Sequence, residues 1–353
     1  MAGSSPPAIG RAVDWTFAGT VGARLARPGP PATDYTRRQV VDALADAARA
    51  AEGPVRDVTG LSSDAPVPDA SVVDREQWVR AASDSMRTMT GGALTPANAI
   101  TGRIAGAQTG AVLAFVASGI LGQYDPFGAA STGPDGGGRL LLVYPNVIAV
   151  ERQLRLDPRD FRMWVCLHEV THRVQFTANP WLAPYMSEAL GLLTAERGDD
   201  VGKVVGRLAD FVRDRRNTSD DPAGGGVLGI LRAIQSDRQR EALDQLLVLG
   251  TLLEGHADYV MDAVGPAVVP SVHQIRRRFD CRRQRKHPPL QRLLRALLGV
   301  DAKLSQYTRG RAFVDHVVDR VGMERFNVVW SGPDSLPKPE EIAKPEQWID
   351  RVL

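Results

Sequence analysis

Two histidines and a glutamate stand close together near the middle of the sequence. His168, Glu169 and His172 form the pattern H-E-x-x-H. On an α-helix, residues four apart lie on the same face, so both imidazoles can bind a single zinc ion. Glu169, beside the first of them, can take a proton from a zinc-bound water and pass it to a leaving group. The pattern predicts the zinc site of a metallohydrolase, with Glu169 as general base.

The residues around this pattern are mostly apolar, which predicts a largely buried helix. Burying two histidines and a carboxylate costs several kcal/mol unless they are paired or bind a metal. A chance match is the alternative, but three specified positions seldom coincide in a chain with 6 histidines. The apolar neighbours are Phe161, Trp164, Val165, Cys166, Leu167, Val170, Val174 and Phe176.

A catalytic zinc ion usually has three protein ligands and one open position, so a third ligand must come from elsewhere in the chain. Glu254 and Asp258 lie one helical turn apart in an apolar segment. Glu254 could bind zinc while Asp258 accepts a hydrogen bond from a ligand imidazole. His256 is an alternative ligand, but on a helix it points about 200 degrees away from Glu254. Glu188 is the remaining candidate, and it has no acidic residue one turn later.

Helical periodicity dominates the chain, and one short apolar run is the best candidate for a strand. This run, Arg139–Tyr144, is followed by Pro145, which predicts an edge position in a sheet. Gly53 and Pro54 are expected to end the first long helix. The predicted helices are Arg37–Ala51, Gln77–Met89, Ile100–Gly122, Asp160–Phe176, Met186–Glu196, Val201–Arg215 and Arg238–Val264.

A connection rich in glycine and proline, Asp125–Gly138, divides the sequence into two parts. We expect a mostly helical amino-terminal part over residues 1–135 and a catalytic part over 136–353, although both could belong to a single domain. A second glycine-rich loop, Gly224–Gly226, is a linker or a lid.

The charge balance argues against nucleic acid as the main ligand. The formal net charge is +2, and the densest basic run, Arg276–His287, contains one aromatic residue, Phe279. Such a run is usually a solvated helix face. The expected partner is therefore a peptide or a small-molecule substrate.

Cysteine content and the amino-terminal sequence suggest a cytoplasmic protein. Cys166 and Cys281 are too few for a disulfide framework and match no paired metal spacing. The first residues lack the apolar run of a secretory signal. The segment Ile104–Gly122 contains polar and many small residues, so a buried helix is expected there and no membrane attachment.

Several stretches of the sequence resemble known metalloproteases. HEVTH at 168–172 followed by EGHAD at 254–258 resembles the gluzincin pattern. More of the chain resembles a bacterial family of zinc metalloproteases that, in actinobacteria, is associated with biosynthesis of the deazaflavin cofactor. The stretches that carry this resemblance are Val13–Ala26, Gly119–Phe127, Leu141–Val147, His168–Trp181, Asp301–Val318 and Leu336–Val352.

The resemblance implies a mainly α, α+β fold of the zincin type, with many helices and a small sheet that has an edge strand. It also implies that His168, His172 and Glu254 bind Zn²⁺, that Asp258 lies behind them and that Glu169 is the base.

A donor for the developing oxyanion is harder to assign. Tyr307 is one candidate and His273 another, because a phenol or imidazole facing the zinc would serve. A core position for Tyr307 and a surface position for His273 are the competing interpretations.

Three functions are compatible with these residues. The first is a zinc peptidase in which an extended peptide pairs with the edge strand near Leu140–Tyr144. The second is an amidase or hydrolase of a small metabolite, and the third is an inactive zinc-binding scaffold. The presence of Glu169 counts against a scaffold, because a structural zinc site needs no base.

Overall fold

The computed structural model describes residues 12–63, 67–91, 96–128, 138–194, 237–283 and 300–353, and helices dominate them. The helices are α1 (Trp15–Leu25), α2 (Asp34–Thr59), α3 (Arg75–Met89), α4 (Ala99–Ala117), α5 (Tyr144–Leu154), α6 (Pro158–Ala178), α7 (Leu182–Thr194), α8 (Asp237–Ala263), α9 (Val272–Arg283), α10 (Val300–Phe326), α11 (Pro339–Ala343) and α12 (Pro345–Val352). The strands are β1 (Ser71–Val73), β2 (Gly122–Asp125) and β3 (Arg139–Val143). Short 3-10 turns cover Asn327–Trp330 and Pro333–Ser335. The expected mainly α fold with a small sheet is confirmed.

The three strands form a mixed sheet in the order β1-β3-β2. β1 runs parallel to β3, and β2 runs antiparallel to it. The predicted strand is therefore present, but its predicted edge position was wrong, because β3 is the central strand. Pro145 does not mark an edge; it lies in the first turn of α5, where a missing N–H costs no helical hydrogen bond. The edge strand beside α6 is β2.

The sheet joins the two parts that were distinguished in the sequence. β1 and β2 precede residue 135, and β3 follows it. The core lies around β3, whose last four side chains are buried, and extends to the packed faces of α2, α6, α8 and α10. The division at residue 135 stays a prediction, and the shared sheet favours the single-domain alternative.

Helix α2 continues beyond the predicted end at Gly53 and Pro54. It ends at Thr59, and Gly60 follows in the left-handed conformation with φ 66°. Ala51 and Val55 are fully buried, and α2 packs along α6. Burial of this apolar stripe outweighs the hydrogen bond that a proline inside a helix removes.

Helix α4 ends at Ala117, earlier than predicted, and residues from Gly122 onward form β2. Its glycine-lined face packs against α1 so closely that a Cβ on Gly110 would lie 2.5 Å from the Ala18 carbonyl oxygen. The opposite face is exposed, with Ile104 at 56%. The expectation of a buried helix was therefore half right. Among the described residues, α4 is the one helix whose length and hydropathy would suffice to cross a membrane.

The basic run is less solvated than expected. Arg276 on α9 contacts the carboxylates of Asp258 at 2.7 Å and Asp262 at 3.0 Å. Arg278 donates to the backbone carbonyl of Leu154 at 2.7 Å. These arginines bind α9 to its neighbours, whereas Arg277 is exposed. The part of the run after Arg283, the predicted helix Val201–Arg215 and the loop Gly224–Gly226 lie outside the described residues.

Candidate metal centre

Helix α6 carries the H-E-x-x-H pattern, as the sequence predicted. Asp157 caps its amino terminus by accepting a hydrogen bond from the Asp160 backbone N–H at 3.0 Å, and Pro158 occupies the first turn. Most of its side chains between Asp160 and Gln175 are buried. His168, Glu169 and His172 line a cavity of about 740 Å³. Glu254, on α8, lines the same cavity. We call this space the central cavity.

The side chains of His168, His172 and Glu254 converge on one point. The two Nε2 atoms lie 3.3 Å apart, and Glu254 Oε2 lies 3.3 Å from His168 Nε2 and 3.6 Å from His172 Nε2. Ligands bound to zinc at about 2.0–2.1 Å in a tetrahedral arrangement are separated by roughly 3.3–3.4 Å. The spacing and chemistry of these three donors therefore fit a zinc ion.

The other two candidates for the third ligand lie elsewhere. His256 is fully buried and stacks on Phe326, with ring centroids 5.4 Å apart. Its Nδ1 lies 2.9 Å from the side-chain amide nitrogen of Gln175, away from the imidazole pair. Glu188 is exposed on α7 and does not line the central cavity. The helical-face argument that separated Glu254 from His256 agrees with these positions.

Gln175 orients His172. Its amide nitrogen donates to the Leu253 carbonyl at 3.1 Å, which fixes its Oε1 as the atom 2.9 Å from His172 Nδ1. An amide oxygen only accepts, so His172 Nδ1 carries a proton, and Nε2 is left as the atom that can bind a metal once it is deprotonated. The sequence analysis missed Gln175, although it stands one turn after His172 on the motif helix.

Asp258 lines the central cavity but has a different partner from the one expected. Its carboxylate accepts a hydrogen bond from Arg276 Nη1 at 2.7 Å. The Nδ1 atom of His168 lies 3.2 Å from the sulfur of Met261. Asp258 was expected to accept a hydrogen bond from a ligand imidazole. In the structure Gln175 accepts that bond from His172, and Asp258 instead holds α9 through Arg276.

The electrostatics of the cluster keep Glu254 ionised. Burial alone would raise the pKa of Glu254, but the adjacent imidazoles of His168 and His172, when protonated, hold it well below its usual range. Burial lowers the pKa of His172, yet its hydrogen bond to Glu254 and the charge of that carboxylate raise it to about 8. The pKa of His256 falls to about 3 because it is buried near His172. An ionised carboxylate is the form that a metal requires.

Glu169 is buried, 7% exposed, and its side chain lies against β2. A Cβ on Gly122 would lie 2.6 Å from Glu169 Cγ and 2.8 Å from its Cδ. Glycine at this strand position therefore leaves the space that the carboxylate occupies. No sequence pattern predicts this role of Gly122, because the contact exists only when β2 lies against α6.

The two candidates for an oxyanion donor are not brought to the cluster by any described contact. His273 is exposed on α9 and does not line the central cavity, as the surface interpretation predicted. Tyr307 belongs to α10, but its side chain lies outside the described residues. Helix α10 does cross α8 closely beside the third ligand, since a Cβ on Gly255 would lie 2.2 Å from the carbonyl carbon of Gly310.

Replacing Gln175 by Leu should weaken zinc binding about 10- to 100-fold, because His172 loses the acceptor that fixes its tautomer. Competition with a chromophoric chelator would measure the zinc dissociation constant. Gln175→Glu keeps an acceptor at the same place and should restore part of the affinity. An unchanged dissociation constant in a folded Gln175→Leu protein would show that Gln175 has no orienting role.

Two imidazoles and a carboxylate around one point, with a further buried carboxylate beside them in an accessible cavity, define the site of a zinc metallohydrolase. The model of the zincin-like metallopeptidase family matches residues 13–349. The chain belongs to this family.

A solved structure and the curated proteins were also compared with the chain. It is similar to a protein from Chloroflexus aurantiacus whose crystal structure is described as that of "a putative hydrolase with a novel fold". The two are 30% identical with a TM-score of 0.66, over 96% of this chain and 98% of the other. No curated protein matched.

Proposed function

We propose that this protein is a zinc-dependent peptidase in which His168, His172 and Glu254 hold the metal. The observation that carries the proposal is the triangle of donor atoms, 3.3 to 3.6 Å on each side, at the wall of the central cavity. Such an ion activates water and polarises a carbonyl when it is bound. Membership of the metallopeptidase family supports the assignment.

The chain itself supplies the proton transfers. Glu169 follows the first ligand on α6, and its carboxylate lines the same cavity. It would accept the proton of the attacking water and deliver it to the leaving amide nitrogen. Tyr307 stays a predicted donor to the oxyanion, placed on α10.

We assign the extended substrate to β2, on the edge that no described strand pairs with, in place of β3, which the sequence suggested. Val143 donates its backbone N–H to the Leu121 carbonyl at 2.8 Å. This bond shows which residues of β2 direct their backbone N–H and C=O groups towards β3 and which direct them away. With the register Gly122 to Leu142 and Tyr124 to Leu140, the peptide groups of Gly122 and Tyr124 face the free edge. They could pair with a peptide backbone beside Glu169.

Two further parts of the proposal concern the setting. Cys166 is buried and Cys281 exposed, and both are free thiols, as suits a reducing cytoplasm. The resemblance to actinobacterial proteins associated with deazaflavin biosynthesis suggests where a natural substrate could be sought.

An amidase acting on a small metabolite would use the same residues, and a scaffold would have no need of Glu169.

Metal-dependent cleavage of peptides tests the proposal. We expect a mixed peptide library to be cut by the zinc-loaded protein, to be left intact after chelation, and to be cut again when zinc is restored. Mass spectrometry of the products would identify the cleaved bonds. Turnover of small amides with no cleavage of any peptide would replace the peptidase by the amidase.

A further inference from the structure

The central cavity is long enough to hold several residues of an extended chain. Along α6 it is lined at intervals of four residues, from Trp164 through the two histidines to Phe176. At 1.5 Å per residue these ends are about 18 Å apart along the helix axis. An extended peptide advances about 3.3 Å per residue, so roughly five residues fit, with the metal position near the middle.

Most of the side chains that line this cavity are apolar. The rings of Trp164 and Phe279 contact each other at one end, tilted by 59° with centroids 5.1 Å apart, and Met261 also lines the cavity. Across from α6, Met86 on α3 and Val112 on α4 form the wall. Methionine side chains adapt to apolar groups of different shapes. The amino-terminal helices therefore complete the cavity around the catalytic residues.

The charges leave no surplus cation for an anionic substrate. The described lining residues include four carboxylates, Asp125, Glu169, Glu254 and Asp258, and no lysine or arginine. Two arginines lie nearby, but Arg139 pairs with Asp125 at 3.4 Å and Arg276 with Asp258 at 2.7 Å. With these arginines and a divalent ion counted, the charges cancel. Away from the metal position, a phosphate, a terminal carboxylate or an acidic side chain would have to be desolvated without an unpaired cationic side chain among the described lining residues.

We propose that the central cavity takes an internal peptide segment with large apolar side chains on both sides of the scissile amide, and that α3 and α4 select it. This assignment of the substrate rests on the proposed peptidase activity. It makes the protein an endopeptidase for uncharged, apolar sequences. Anionic peptides and peptides held by their terminal carboxylate are the substrates that it rejects.

Two peptide pools test the preference directly. They are identical except that the central positions carry Phe and Leu in one pool and Glu in the other. The apolar pool should be cleaved with a kcat/KM at least about tenfold higher, the discrimination that apolar contacts in a pocket can provide. Equal rates, or a preference for the acidic pool, would overturn the proposal.

A matched pair of variants on α4 tests whether this helix contributes to substrate selection. Val112 and Ile104 are both exposed apolar residues, at 42% and 56%, but only Val112 lines the cavity. Val112→Asp should lower kcat/KM for the apolar pool about fivefold or more through a higher KM, with zinc content unchanged. Ile104→Asp should leave all of these values unchanged. Equal behaviour of the two variants would remove α4 from the substrate site.

A binding measurement separates this inference from the proposed activity. Zinc-loaded Glu169→Gln protein would be titrated calorimetrically with two hydroxamates, one bearing a benzyl group and one a carboxymethyl group. At least tenfold tighter binding of the benzyl compound supports the apolar cavity even if no peptide is cleaved. Equal affinities would overturn the assignment, whatever the outcome of the cleavage assay.

Discussion

Glu169→Gln should lower kcat for peptide cleavage by about 10²- to 10⁴-fold, the contribution typical of a positioned general base. The amide has nearly the shape of the carboxylate, so the space beside Gly122 stays filled and α6 stays folded. Glu169 is not one of the three converging donors, so zinc content should remain unchanged. Steady-state kinetics and metal analysis of the same preparation would measure both quantities.

Glu188→Gln is the matched control for this experiment, because Glu188 is an exposed glutamate outside the central cavity. It should retain the activity and the zinc of the unaltered protein. Full activity of Glu169→Gln would defeat the mechanism proposed for Glu169. A loss of zinc in Glu169→Gln would instead place its carboxylate among the ligands.

Glu254→Ala should lose zinc at concentrations that saturate the unaltered protein. It removes one of three donors and leaves two imidazoles, so the dissociation constant should rise by more than the roughly 10- to 100-fold expected for an orienting partner. Activity should disappear with the metal. Titration of the metal-free protein with zinc, followed by calorimetry, would give the affinity.

Asp258→Asn distinguishes the two carboxylates of this helix. Since Asp258 binds Arg276, its replacement should weaken the attachment of α9 while keeping zinc affinity within about tenfold of the original value. Thermal unfolding would report the first effect, and the zinc titration would report the second. Full zinc occupancy in Glu254→Ala, or loss of zinc in Asp258→Asn alone, would contradict the ligand assignment.

The convergence of His168, His172 and Glu254 could be predicted from the sequence because it depends on helical spacing within short segments. Spacing of four residues put His168 and His172 on one helical face, and the same period separated Glu254 from His256. Gln175 escaped notice because its role depends on the Leu253 carbonyl, 78 positions away in the chain. A glutamine on a helix surface has the same local sequence signature whether or not such a partner meets it.

The sheet was predicted less well because strand order is set by long-range pairing. An apolar run such as Arg139–Val143 is buried at either an edge or a centre, and Pro145 pointed to the wrong one. Pro54 was equally misleading, because the burial of Ala51 and Val55 against α6 is a tertiary effect. Four residues, Gly122–Asp125, formed β2 without a pattern long enough to predict a strand.

The central claim is that this chain binds one zinc ion through two imidazoles and one carboxylate, with a position left for water. X-ray absorption at the zinc edge, combined with metal analysis of the purified protein, tests it most directly. We expect one zinc per chain with two nitrogen ligands at about 2.0–2.1 Å, oxygen ligands otherwise, and no sulfur. A protein that contains no zinc, or a zinc ion bound by four protein ligands with no water, would contradict the claim.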